Sequence, residues 1–164
     1  FLLDSIQVLF SWVTRPPYDA SQLWHLDYGD SRTLHSVTYL TDVESTDDGA
    51  FVCVSKGDTR QIRRAPYIRR ISDDRFRQEL GKGELRAFLG AAGQSMWVDP
   101  SACYHYGSRC KTKPRLAVFV TFYTDRPFVA PTRPILENRE KLYEVASQLR
   151  PDLNGDYLRH ILQL

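Results

Sequence analysis

His25 and Asp27 stand two positions apart in the stretch Leu23-Trp24-His25-Leu26-Asp27. On an extended strand, side chains at i and i+2 leave the same face, so an imidazole and a carboxylate would converge on one point. One further imidazole from a neighbouring strand would complete the two-histidine, one-carboxylate facial set of a non-haem Fe(II) centre, which leaves adjacent coordination positions open for a co-substrate and O2. His105 is the candidate for that place. The segment from Tyr104 to Leu116 reads as strand, turn around Gly107, strand, which predicts His105 and Arg115 as cross-strand neighbours on one face. A guanidinium just beyond the metal suits a dicarboxylate that chelates iron with its keto-acid end, because the planar fork of arginine matches the far carboxylate. An isolated H-x-D tripeptide arises often by chance; the ordered set of His25, Asp27, His105 and Arg115 is much more restrictive.

These side chains need strands to carry them. From Leu23 onward the sequence is a succession of short runs rich in β-branched and aromatic residues, at 34–40, 50–55, 95–98, 102–106 and 116–123, divided by Gly, Asp, Ser or Pro. Strands without a helix between each pair argue for an antiparallel sandwich or barrel and against a doubly wound α/β sheet. Apolar residues at 2, 3, 6, 9, 10 and 13, ended by Arg15-Pro16-Pro17, predict a covering helix over 1–13. Residues 56–93 read as an insertion or lid, with seven arginines between Arg60 and Arg77 and a short helix over 72–80 or 84–89. Leu142, Val145, Ala146 and Leu149 mark one face of a helix over 134–149, and Asn154 is placed to cap a last helix running to Leu164.

The 164 residues suffice for one core, so the whole chain, 1–164, is expected to be a single domain. Its 42% apolar and 26% charged residues are those of a globular chain and exclude a disordered one. With 22 basic against 20 acidic residues there is no global field to mark a nucleic-acid or membrane-surface protein. No apolar run approaches the ~20 residues of a membrane span. Cys53, Cys103 and Cys110 are too sparse for a disulfide scaffold, which points to free thiols and a cytoplasmic setting. The first residue is Phe1 rather than Met, which leaves room for residues upstream.

Residues Gln22 to Asp27, then Val37-Thr38-Tyr39-Leu40-Thr41-Asp42-Val43, then Gly49-Ala50-Phe51-Val52-Cys53-Val54, then 99–115, resemble the phytanoyl-CoA dioxygenase (PhyH-like) family of Fe(II)/2-oxoglutarate-dependent oxygenases. The resemblance spans about residues 21–124. It implies a mainly β, double-stranded β-helix core of the jelly-roll or cupin-like kind with flanking helices and iron at its open end. It implies His25, Asp27 and His105 as metal ligands and Arg115 at the distal carboxylate of 2-oxoglutarate. The implied reaction consumes 2-oxoglutarate and O2, releases succinate and CO2, and hydroxylates a small-molecule substrate. Related halogenases carry a small residue in place of the carboxylate, so Asp27 favours hydroxylation. Two departures stand out. Ser55-Lys56-Gly57-Asp58 replaces the Pro-Gly-Ser-His turn of many relatives, so substrate contacts there do not carry over. Gly107 stands where a Ser or Thr commonly assists the arginine, so another hydroxyl is required, and strand parity nominates Ser36 or Thr38.

Other residues are read more plainly. Trp24 is expected to pack in the core, His35 to lie on the β-face opposite Ser36 and reach the surface, and His160 to serve as a helix-end charge. The arginine run most simply forms a solvated face paired with acids such as Asp73, Asp74 and Glu79. Two alternatives to the oxygenase are a non-catalytic jelly-roll binding module and, on the arginines alone, a nucleic-acid oxidative demethylase. Substrate identity and oligomeric state do not follow from these residues.

Overall fold

The computed structural model describes residues 1–63 and 70–164. Arg64 and Arg69 of the arginine run therefore lie outside the described residues. The chain forms, in order, β1 (Leu2–Ser11), β2 (Trp24–His25), β3 (Thr33–Tyr39), β4 (Phe51–Cys53), α1 (Lys56–Thr59), β5 (Arg70–Ile71), α2 (Asp73–Leu80) and β6 (Arg86–Phe88). It continues through β7 (Ser95–Val98), β8 (His105–Tyr106), β9 (Arg115–Tyr123), α3 (Arg133–Leu149) and α4 (Gly155–Leu162). A four-stranded sheet in the order β1-β9-β3-β7 opposes a five-stranded sheet in the order β5-β2-β8-β4-β6, and every named strand pair is antiparallel. The antiparallel sandwich is the one the strand succession predicts, and the jelly-roll arrangement with flanking helices is the one the family resemblance implies.

Parity along the two long strands sets the layers. Val37 and Tyr39 of β3 and Ala117 of β9 are fully buried between the sheets, with Val52, Ile71, Phe76 and Tyr104 facing them from the other side. The alternate β9 residues Val120 and Phe122 point outward, where Leu3, Ile135 and Leu162 cover them from β1, α3 and α4. Burying this many large apolar side chains, at ~1.5–3 kcal/mol each, is the main force holding the sheets together. Trp24 lies in the core, stacked on Phe76 at 3.8 Å between ring centroids.

The N-terminal segment is a strand, contrary to the helix expected over 1–13. Its apolar spacing satisfies both periods, since Ile6, Val8, Phe10 and Trp12 also alternate, and these residue types favour strands. Nine residue pairs with β9 decide the matter, and that pairing is a tertiary fact. The 56–93 segment is likewise more than a lid. β5 and β6 form the two edges of the five-stranded sheet, and Phe76 and Leu80 of α2 enter the core. The 84–89 stretch, an alternative helix by sequence, is instead the β6 edge paired with β4. Strand β8 is shorter than the run at 102–106, because Ala102 and Cys103 turn back to the carbonyl of Asp99. Asn154 does cap α4, accepting from the Asp156 N–H at 2.7 Å. The three cysteines are free. Among the described residues, no helix is long and apolar enough to cross a membrane.

Candidate active site

Strands β2 and β8 lie side by side with His25 directly opposite His105. Their rings sit 4.2 Å apart, centroid to centroid, and Phe51 stacks on His105 at 5.0 Å. Asp27 follows just beyond β2, where its N–H bonds the Pro100 carbonyl at 3.0 Å. From there its Oδ1 lies 3.6 Å from His25 Nε2 and 3.8 Å from His105 Nε2. The three donor atoms all lie within 4.8 Å of one another.

The same local device orients both imidazoles. His25 Nδ1 is 2.7 Å from the Leu23 carbonyl and His105 Nδ1 is 3.0 Å from the Cys103 carbonyl, in each case two residues back. A carbonyl only accepts, so both Nδ1 atoms carry a proton and both rings turn Nε2 toward the Asp27 carboxylate. Burial pushes the His105 imidazole down to about 3, helped by the neighbouring His25. It is therefore neutral at ordinary pH, as a metal ligand must be. Burial raises the Asp27 carboxyl, while His35 and His25 oppose that rise.

His35 is the fourth member of the cluster. The expectation that it reaches the surface is not met: its side chain is 13% exposed, with Nε2 3.8 Å from Asp27 Oδ2. Oδ1 thus faces the pair of histidines and Oδ2 faces His35. The β3 parity that buries Val37 and Tyr39 puts His35 on the same inward face. That signal was available from the alternation in the sequence.

Arg115 begins β9, fully buried opposite Ser11 of β1. Nη1 donates to the Gly49 carbonyl, and Nη2 donates to Ser108 Oγ at 2.8 Å and Ser11 Oγ at 3.3 Å. Burial lowers the guanidinium's pKa, and Tyr39, under it at 5.8 Å, opposes that effect. Two sequence expectations are corrected here. His105 and Arg115 are not cross-strand neighbours, because β8 and β9 belong to opposite sheets and the two residues approach across the sandwich. The hydroxyls beside Arg115 come from Ser11 and Ser108, not Ser36 or Thr38. Those two lie on the other face of β3, opposite Trp97 and Ser95 of β7, and Thr38 Oγ1 is bonded to Ser95 Oγ at 2.7 Å. The parity argument counted along β3 correctly but chose the wrong face.

A cavity of about 170 Å³ joins these parts, lined by His25, Asp27, His35 and His105 together with Phe51, Phe119, Ser108 and Arg115. His35 pairs with Thr121, six positions along β9 from Arg115, so the cavity runs along that strand from the histidine cluster to the guanidinium. The donor set fits a six-coordinate ferrous ion in kind: two imidazole Nε2 atoms and one carboxylate oxygen, with an aromatic wall and, among the described residues, no lysine in the lining.

Trp24 and His160 are not among the residues lining this cavity, whereas Arg70 of the arginine run is the β5 partner of His25 and, with the histidines, opposes the rise of the Asp27 carboxyl. His160 Nε2 is 3.6 Å from Asp125 on the surface. Arg75 pairs with Glu79 along α2 at 3.0 Å. Asp73 makes a bidentate bond to Arg109, 2.9 Å on each arm, and so ties α2 to the β8–β9 connection.

No family model matches the sequence, and no curated protein does either. Solved structures do share its fold. The epimerase SnoN, in complex with Fe3+, alpha ketoglutarate and nogalamycin RO, superposes with a TM-score of 0.52 at 18% identity, over 73% of this chain and 48% of that one. AviO1 from Streptomyces viridochromogenes Tue57 gives 0.51 at 15% identity, over 79% of this chain and 54% of that one. The chain thus spans about half the length of the structures it matches, and what it shares with them is the jelly-roll core.

Proposed function

We propose that this chain is an Fe(II)- and 2-oxoglutarate-dependent dioxygenase of the PhyH-like kind that hydroxylates a small organic substrate, with release of succinate and CO2. The carrying observation is the three-way approach of His25 Nε2, His105 Nε2 and Asp27 Oδ1, with both Nδ1 atoms already engaged. The bound iron would supply O2 activation; the protein's part is to hold, orient and exclude. His25, Asp27 and His105 would hold the metal on one side. Arg115, kept in place by Gly49, Ser11 and Ser108, would receive the distal carboxylate of 2-oxoglutarate. Phe51 and Phe119 keep the space between them apolar, which strengthens the charge pairing at its far end. The shared core with SnoN, whose complex contains Fe3+ and alpha ketoglutarate, supports the co-substrate assignment. That relative is an epimerase, so hydroxylation rests on the carboxylate at Asp27 and on the resemblance in sequence.

The test is direct. Anaerobic addition of Fe(II) and 2-oxoglutarate should produce the weak visible charge-transfer band of a chelated keto acid, and O2 should then yield succinate. A folded, iron-loaded protein without that band refutes the reading.

A further inference from the structure

A second cavity, of about 370 Å³, opens beside the first and shares Asp27, His35 and Phe119 with it. Its remaining wall mixes polar groups, Ser5, Gln7, Thr121 and Tyr123, with Tyr28 and Val129, and among the described residues no lysine or arginine lines it. Asp4 also lines it, for an identifiable reason. Along β1 the register with β9 shifts between Leu3, opposite Phe122, and Ser5, opposite Thr121, so Asp4 is an extra residue without a cross-strand partner. A bulge of this kind re-aims a side chain. Leu3 keeps its outward place under α3 and α4, while both Asp4 and Ser5 turn to the cavity.

The Asp4 carboxylate is costly where it stands. The residue is only 6% exposed, and among the described residues no cation pairs with it. Its hydrogen-bond donors are Ser5 and Thr132, both neutral, and burial pushes its carboxyl upward. Tyr123, next to it, is pushed up to about 12 by burial and by the surrounding Asp4, Asp27 and Asp30, so its phenol stays neutral and available as a donor. A buried acid without a cation is stabilised by a ligand that brings one. Gly29 lets the Tyr123 phenol lie directly against the backbone in this wall: a Cβ there would come within 2.2 Å of Tyr123 Oη.

We infer that this cavity seats the substrate of the proposed oxygenase, and that Asp4 selects a small molecule carrying an amino group, bound as the ammonium. The inference rests on the oxygenase reading for its link to the iron, while the charge selection rests on Asp4 alone. Cavity sharing places such a ligand against Asp27 and His35, beside the donor set that would hold the metal. Its hydroxyl or ether oxygens would find Gln7, Thr121 and Tyr123.

The experiment uses the full chain loaded anaerobically with Fe(II) and 2-oxoglutarate, so that the visible band first reports whether the oxygenase reading holds. Three matched probes follow: an aminocyclohexanol, the isosteric cyclohexanediol, and a hydroxycyclohexane carboxylate. Binding is read from the perturbation of the band. The amine should bind about tenfold or more tighter than the diol, the scale of one charge-assisted hydrogen bond. The carboxylate should bind weakest. Asp4→Asn, with its band intact, should bring amine and diol to parity. Equal binding of amine and diol by the unsubstituted protein, no amine binding, or an amine preference that survives in Asp4→Asn would each overturn the assignment, even with the charge-transfer band present. If the band itself is missing, the oxygenase reading has failed instead.

Discussion

His25 and His105 are direct cross-strand partners on β2 and β8, although 79 residues of sequence separate them. Each reaches the shared carboxylate of Asp27 only because its Nδ1 proton is committed to the carbonyl two residues behind. Affinity for metal should follow this geometry. Replacing either His105 or Asp27 with Ala should weaken Fe(II) or Co(II) binding, measured by equilibrium dialysis, beyond the roughly 10–100-fold typical for loss of an outer partner. His35→Gln should stay within or below that range, since His35 faces only Oδ2 of Asp27. Equal losses in the His35 and His105 variants would mean that the ligand set is drawn wrongly.

Arg115 should govern the co-substrate rather than the metal. Arg115→Met is expected to weaken 2-oxoglutarate binding about 10–100-fold, the scale of losing a charge-assisted contact, with Fe(II) affinity nearly unchanged. Ser108→Ala removes the 2.8 Å acceptor from Nη2 and should cost several-fold in the same titration. Ser36→Ala and Thr38→Ala should leave 2-oxoglutarate binding as it is, because neither hydroxyl is among those bonded to the guanidinium.

The buried imidazole at 105 predicts a pH dependence for the metal-free protein. His105 is held near 3 in the folded state against 6.5 for an ordinary histidine, so below about 6.5 the unfolded chain binds the extra proton. Stability from this group is complete above that value and falls as pH drops toward 3, by up to about 1.4 kcal/mol per pH unit. Asp27, with its raised carboxyl, acts in the opposite sense and gains stability as pH falls toward its own range. Comparing His105→Gln with the unsubstituted chain isolates the histidine: the variant's unfolding midpoint in urea should decline less steeply between about pH 6.5 and 5. Parallel slopes would show that the imidazole is not buried as described.

Gly49 links the fold to the site. Its φ of +81° disfavours any side chain, and an added Cβ would lie 2.4 Å from Cys110 Sγ, while its carbonyl accepts from Arg115 Nη1. Gly49→Ala should destabilise by about 2 kcal/mol or more and also weaken 2-oxoglutarate binding, since moving this carbonyl moves the guanidinium. Adding Cys110→Ala removes the sulfur and should recover part of both losses, leaving the cost of the positive φ. Thermal unfolding and 2-oxoglutarate titration on the single and double variants check this; no recovery would mean that the clash is not with Cys110.

The residue types at 25, 27, 105 and 115 and the alternation along β3 and β9 were legible in the chain itself, because strand parity and coordination chemistry are local rules. So were α3, the Asn154 cap and the strand at 95–98. What the chain left open was pairing between distant segments. The first thirteen residues fit helix and strand spacing alike until β9 lies beside them, and the 56–93 segment supplies both edges of a sheet that its arginines do not advertise. The path from His105 to Arg115 crosses from one sheet to the other, so the hairpin drawn from their spacing does not form, and the hydroxyls that steady the guanidinium come from Ser11 and Ser108, which parity along β3 alone could not find. Asp4 turns inward because one register shift inserts it there, and a shift is a property of two strands together. Local propensity chooses what a segment can be; only the packing of segments far apart in sequence decides which faces meet.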